Sequence, residues 1–408
     1  MKNYILFLGI FISTISFSQD KEYAKLCLTK LTSNEFKGRG FVGNGDKIAA
    51  KFIASELKKH KISPIQKSYF QDFNIAINTY PYKSSVLINN KKLVVGKDYL
   101  IVPLSGSLLG NFNLVYFDST VSNYENKIVI IDKKRLQNYD NQKIRKFKLL
   151  NPAKAKGFVE IVDGNLLQVQ SQKEANFVWL QIKRESFDSL ATSINIDVKN
   201  KYYDNYKTQN VCAIVKGEVD SFVVFSAHYD HLGAVAKEAV FAGANDNGSG
   251  VVMLLDLAKY YSQKKEKPHY SIVFLFFSAE EVGLLGSAYF TENTLIDLKK
   301  VKFLFNLDMV GSGETGIAIV NGKSYPKEMN VLKEINTKNN YFKNLKIREN
   351  STNSDHYYFT EKGVSSVFVY TEGNYKEYHS IYDNNVEALL TRYNELFNLL
   401  TQFVEKIK

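Results

Sequence analysis

Cysteine is nearly absent: the chain holds Cys27 and Cys212, far apart and outside any Cys-x-x-Cys arrangement, which excludes a thiolate metal centre. In an oxidising compartment these two thiols either pair or stay free, and sequence spacing leaves both open. A phosphate-cradling loop is missing as well, because Gly248-Ser249-Gly250 is not followed by Gly-Lys-Ser/Thr. No run of about twenty apolar residues occurs, so no membrane span is expected. The formal charge of +11 is not gathered into a nucleic-acid module. Lysines are scattered, with local concentrations only at 133–135 and 143–148, and read as a solvated basic face. No internal repeat or low-complexity tract is present.

What is there begins with a processing signal. Met1-Lys2-Asn3 is followed by an apolar stretch from Tyr4 to Ile15 and by Ser16-Phe17-Ser18, the pattern of a signal peptide over 1–18 with the mature chain starting near Gln19. The stretch is short for a bilayer, and no Cys follows it to take a lipid. The expectation is a soluble exported protein, periplasmic or extracellular, without a stable membrane anchor. With 408 residues and 45% hydrophobic content, the chain has enough material for one large or two ordinary domains.

Periodicity changes character twice along the chain. Tyr23 to Leu31 and Asp46 to Lys59 read as amphipathic helices, separated by the glycine-rich Lys37-Gly38-Arg39-Gly40, where Arg39 is read as structural. From about Tyr82 to Tyr203 short strands dominate, including Asn113–Phe117, Lys127–Asp132, Gly157–Val162 and Phe177–Ile182. After Asn210 strands and helices alternate, as in a mostly parallel α/β sheet covered by helices on both faces. A closing helix is expected from Glu387 to Lys408. The division is therefore 19–81 with 204–408 as one α/β domain and 82–203 as an inserted, mainly-β domain.

In the second half, apolar runs stop at metal-binding side chains. Ser221–Ala227 runs into His228-Tyr229-Asp230-His231, Ser271–Phe277 into Glu280-Glu281, and Lys302–Phe305 into Asn306-Leu307-Asp308. Ser365–Tyr370 is followed shortly by His379. Side chains that each follow a strand converge outside the carboxyl edge of an open α/β sheet, although they lie far apart in sequence. Between the first two strands, Gly243-Ala244-Asn245-Asp246-Asn247-Gly248-Ser249-Gly250 offers a tight turn that brings Asp246 over that edge, within reach of two metals.

Together these segments resemble the M28 family of metallopeptidases. The resemblance rests on 227–233, 243–250, 278–287, 306–311, Ser354-Asp355-His356 and 378–383, in that order. It implies a zinc exopeptidase fold in which His228, Asp246 and Asp308 bind one metal, Asp246, Glu281 and His379 bind the second, and Glu280 is the general base. It also implies removal of N-terminal residues from peptides with a free N-terminus, by a hydroxide shared between two Zn2+ ions, with Mn2+ or Co2+ acceptable to such carboxylate-rich sites. The insert resembles the protease-associated insert of several members, with Asn151–Gly157 as its helix and turn and a role in shaping the entrance or capturing substrates.

On chemistry alone, Glu280 and Glu281 need different tasks, since neighbours on an extended backbone point in opposite directions. Asp230 is expected to orient His228. Asp355 and His356 are assigned to the second shell or the substrate surroundings, with helix capping as the structural alternative. Singly, His228–His231 reads as a loop and the Glu pair as a solvated helix start. The order of all the segments favours the metal site. A metallo-β-lactamase-like site is set aside because position 226 is Ser where that site needs His. Two other functions on the same scaffold remain in view: a single-zinc glutaminyl-cyclase-like acyltransferase, which does not require the His228 position, and an inactive binding module, expected to have lost ligands or base.

Overall fold

The larger sheet is organised around strand Val219–His228, whose Phe222–Phe225 run is apolar and which has a partner on each side. The computed structural model describes residues 19–407. The signal-peptide expectation over 1–18 lies outside them. Strands Tyr270–Phe277, Val219–His228, Val301–Leu307 and Ser366–Glu372 run parallel in that spatial order. Lys201–Val215 and Gly316–Val320 flank this core antiparallel, making the sheet mixed.

Alternation decides which helices cover which face. Val223, Phe225 and Ala227 share a core with helices Lys21–Leu31, Gly45–Lys59, Gly250–Gln263, Pro326–Asn339 and Tyr393–Lys406. Val224 points the other way, into a core with Phe290 and Phe359 from helices Leu285–Glu292 and His356–Glu361. The closing helix is shorter than its expected span, starting at Tyr393 and preceded by a 3-10 turn at Val386–Ala388. Among the described residues, no helix is long and apolar enough to cross a membrane.

A second sheet of eight strands lies between residues 85 and 198 and has its own core. Four of its strands are parallel: Leu108–Tyr116, Lys127–Asp132, Gly157–Val162 and Val178–Lys183. Its helix is Asn141–Leu150, so Asn151–Gly157 is turn and strand start instead of the expected helix. Strands Phe70–Thr79 and Lys201–Val215 pair antiparallel from Thr79–Lys201 to Phe70–Val211 and join the two sheets. The expected boundary at 203/204 falls inside strand Lys201–Val215, where the ladder to Phe70–Thr79 shifts register between Tyr203 and Tyr206 and then resumes.

Cys27 and Cys212 are both free and buried. Burial raises the Cys27 thiol to about 12 and pushes Cys212 up as well, so neither is reactive near neutrality.

Candidate active site

Strand register places the first two site residues. Ser226 pairs with Asn306 and His228 with Phe277, so two residues beyond Asn306 the chain brings Asp308 level with His228. Their side chains meet, with His228 Nε2 3.3 Å from Asp308 Oδ1. The same nitrogen is 3.4 Å from Asp246 Oδ1. On the other side, His379 Nε2 stands 3.2 Å from Asp246 Oδ2 and 3.2 Å from Glu281 Oε2. Asp246 thus turns one oxygen to each of two triads. Both triads and Glu280 line one pocket of about 380 Å³, together with Met309, Arg348, Asn353, Phe368, Tyr370 and Tyr378.

The donor set fits divalent cations. A tetrahedral zinc with bonds of about 2.0–2.1 Å requires neighbouring ligand atoms about 3.3 Å apart, and the four imidazole–carboxylate separations are 3.2 to 3.4 Å. Electrostatics agree. Burial alone would depress the His228 imidazole, yet Asp308, Glu280 and Asp246 outweigh it and hold it well above its ordinary value. Burial likewise works against His379, and Asp246 and Glu281 lift it to about 10. Burial would raise Asp246 and Glu281, but the imidazoles draw Asp246 well below the carboxylate range and, against the nearby Asp246 charge, Glu281 to about 2. The cluster demands positive charge, which divalent cations would supply.

Glu280 differs from its neighbour. Burial first, and then the charges of Glu281, Asp355 and Asp308, push its carboxyl well above the ordinary value. No hydrogen bond from the described residues reaches that carboxylate, whereas Glu281 Oε1 is 2.7 Å from His231 Nδ1. The extended backbone assumed for the two glutamates does not hold: they sit in a turn after strand Tyr270–Phe277, with Ala279 at φ 61°, and each places a carboxylate oxygen within 4.8 Å of a His228 ring nitrogen. The turn breaks the two-residue alternation on which the expectation relied.

Asp230 also differs in detail. His228 Nδ1 is 3.2 Å from the Asp230 backbone carbonyl, while the Asp230 carboxylate is 3.8 Å away. The carbonyl fixes the imidazole, and the carboxylate instead accepts the Glu280 N–H at 3.2 Å. Asp355 and His356 are fully buried and absent from the pocket lining. Asp355 accepts from Ser287 at 2.5 Å beneath the site, and the His356 ring packs near Phe368. Both therefore sit behind the pocket lining.

Residues that sequence reading undervalued hold the site's side chains in place. Arg39, with 0% exposure, donates to the carbonyls of Tyr229 (2.8 Å), Ala242 and Gly243 (2.7 Å), joining the His228 turn to the Asp246 loop. Asp383 accepts the backbone N–H groups of Asn245 (2.9 Å) and Asp246 (3.0 Å). Asn247 and Ser249 tie the same loop to both sides of Asp308 through Leu307, Met309 and Val310. A buried relay, Ser226 to Asn306, Asn306 to Ser354 and Ser354 to Asp308, with each bond at 2.8 Å, orients Asp308. The signals available were position four after His379 for Asp383 and three after His228 for His231.

Gly243 has φ +62°, and a Cβ there would lie 2.3 Å from the Asp246 carbonyl oxygen and 2.4 Å from the His231 ring. Gly243→Ala should therefore lose about 1–3 kcal/mol of stability and much of its activity. An unchanged thermal midpoint would refute the tight-loop account.

The fold and this constellation, two imidazole–carboxylate triads sharing an aspartate at the carboxyl edge of a parallel sheet, define a metal-dependent hydrolase. Residues 210–404, nearly half of the chain, match Peptidase family M28. The chain is 27% identical over 393 residues to Aminopeptidase YwaD of Bacillus subtilis, covering 88% of this chain and 79% of that protein. To Aminopeptidase Y of Saccharomyces cerevisiae it is 34% identical over 152 residues, 35% of this chain and 27% of that protein. Its fold is shared with the crystal structure of BSAP, a zinc aminopeptidase from Bacillus subtilis, at TM-score 0.73, 21% identity and 95% coverage of both chains.

Proposed function

We propose that this chain is an exported aminopeptidase holding two zinc ions, which releases N-terminal residues from peptides. The observation that carries the reading is Asp246, whose two oxygens face separate triads at ligand spacing. His228, Asp246 and Asp308 would hold one ion, and Asp246, Glu281 and His379 the other. Bound there, such ions supply Lewis acidity to the scissile carbonyl and lower the pKa of water. Support for aminopeptidase action comes from the similarity to Aminopeptidase YwaD along most of both chains. A pocket of about 380 Å³ suits the end of a peptide. Export rests on the sequence pattern of residues 1–18, and the 82–203 insert is read as protease-associated-like.

The chain's own part centres on Glu280. Its carboxylate, without a hydrogen bond from the described residues and made basic by burial, takes a proton from the attacking water and passes it to the leaving amine. Asp230 holds the Glu280 backbone, while Ser354 fixes Asp308 and His231 fixes Glu281.

Elemental analysis should give about two zinc ions per chain. Release of arylamine from aminoacyl-arylamides should cease on chelation and return with zinc. A single ion with pyroglutamate formation would replace this reading by a cyclase, and two ions without hydrolysis of any free-amine peptide would replace it by a binding module.

A further inference from the structure

The segment between strands Gly157–Val162 and Val178–Lys183 belongs to the smaller sheet, but hydrogen bonds from Gln168, Gln170 and Gln172 reach the turns around the candidate site. The Gln168 backbone N–H donates to the His379 carbonyl at 3.1 Å. The Gln170 side-chain amide donates to the His231 carbonyl at 3.1 Å, and that of Gln172 to the Val282 carbonyl at 2.8 Å. Each acceptor bears on one triad. His379 belongs to it, Val282 follows Glu281, and the His231 ring holds the Glu281 carboxylate at 2.7 Å. Among the described residues, no hydrogen bond from the three glutamines reaches the Asp308 turn.

The segment is itself well held. Leu166 is buried in the smaller sheet's core, the Ser171 carbonyl accepts from Asn78 N–H at 2.9 Å, and Ala175 N–H donates to Leu104 at 2.7 Å. Its target needs holding. His379 adopts φ 51°, a left-handed conformation that a bulky residue keeps only when its surroundings over-determine it. Two residues on, Ile381 packs against the smaller domain's core, so the His379 turn is gripped by the insert at two points.

We propose that Gln168, Gln170 and Gln172 form a positioning strap by which the inserted domain sets the affinity of the Asp246–Glu281–His379 subsite for a divalent cation. This rests on the two-ion reading above. The insert then acts on the ligands through their backbone, as outer hydrogen bonds orient first ligands in metal sites generally.

The test is cation titration of the metal-free full chain, using Zn2+ by calorimetry and Co2+ by visible absorption. Wild type should show two steps, and Asp308→Ala, which removes a ligand of the other subsite alone, identifies which step belongs to which. The double variant Q170M/Q172M keeps side-chain length but loses both donors. It should weaken the Asp246–Glu281–His379 step roughly tenfold or more, leave the other step and the metal-free melting midpoint in place, and change the Co2+ spectrum of the affected site alone. Gln172→Met alone, at an exposed side chain, should give a smaller shift of the same kind and serves if the double variant folds poorly. Two unchanged steps, or two steps weakened equally, would overturn the strap and leave the two-ion reading standing. A wild-type chain that takes up one ion would overturn both.

Discussion

Glu280→Gln lowers kcat by roughly 10²- to 10⁴-fold, the usual share of a general base, while zinc content and KM stay close to wild type. The amide has nearly the same size and shape but accepts no proton at neutral pH. Because no hydrogen bond from the described residues depends on the Glu280 carboxylate, the exchange disturbs little packing. Metal content makes the experiment decisive. His228, Glu280 and Glu281 also present atoms within 4.8 Å of one another, a spacing at which Glu280 would itself be a ligand. A variant that loses one ion along with its activity assigns Glu280 to ligation, whereas one that keeps both ions and loses turnover assigns it to proton transfer. A pH-rate profile adds a second check, since the limb governed by the base should vanish from the residual activity of the variant.

The other large effect belongs to a residue outside the pocket lining. Arg39→Met should cost about 3–5 kcal/mol of unfolding free energy, the scale observed when one partner of a buried charged network is removed. Methionine fills similar space and donates nothing, leaving the carbonyls of Tyr229, Ala242 and Gly243 without their donors in a dry environment. The charge is lost as well. Burial lowers the guanidinium only to about 10, because Asp383, Asp246, Asp230 and Glu281 favour its charged form, so it is cationic at neutral pH. Removing it withdraws a permanent positive charge from beneath a crowded acidic site. Urea unfolding of the metal-free chain measures the cost, and a change below about 1 kcal/mol would show that these bonds contribute little. Arg39→Lys should recover only part, since an ammonium does not reproduce the planar fork that spans several carbonyls.

Much of the catalytic half was legible because its signals are local. An apolar run reports a buried strand, a polar side chain just after it reports the edge, and Asp246 between glycines reports a tight turn. These features need no knowledge of neighbours. The insert was legible as strands but not as an eight-stranded sheet with four of them parallel, since pairing partners are not written in composition. The backbone at Glu280 and Glu281 departs from the extended geometry assumed for it, because a positive-φ residue at Ala279 bends the chain. Asp230 was placed beside His228 from sequence, but which of its atoms comes closest, the carbonyl and not the carboxylate, is set by the turn.

The sequence by itself determined the donor chemistry: which imidazoles and carboxylates exist, which strand each follows, and in what order. Only the tertiary structure decided how they gather about Asp246, and that Arg39, Asp383 and the segment Gln168–Gln172 hydrogen-bond to the turns that carry them. The physical reason is range. Side-chain chemistry and strand periodicity are properties of a few adjacent residues, whereas a spacing of 3.2 to 3.4 Å between atoms on separate segments is set by sheet register and by hydrogen bonds such as Arg39 to Tyr229, which close only when the whole chain has folded.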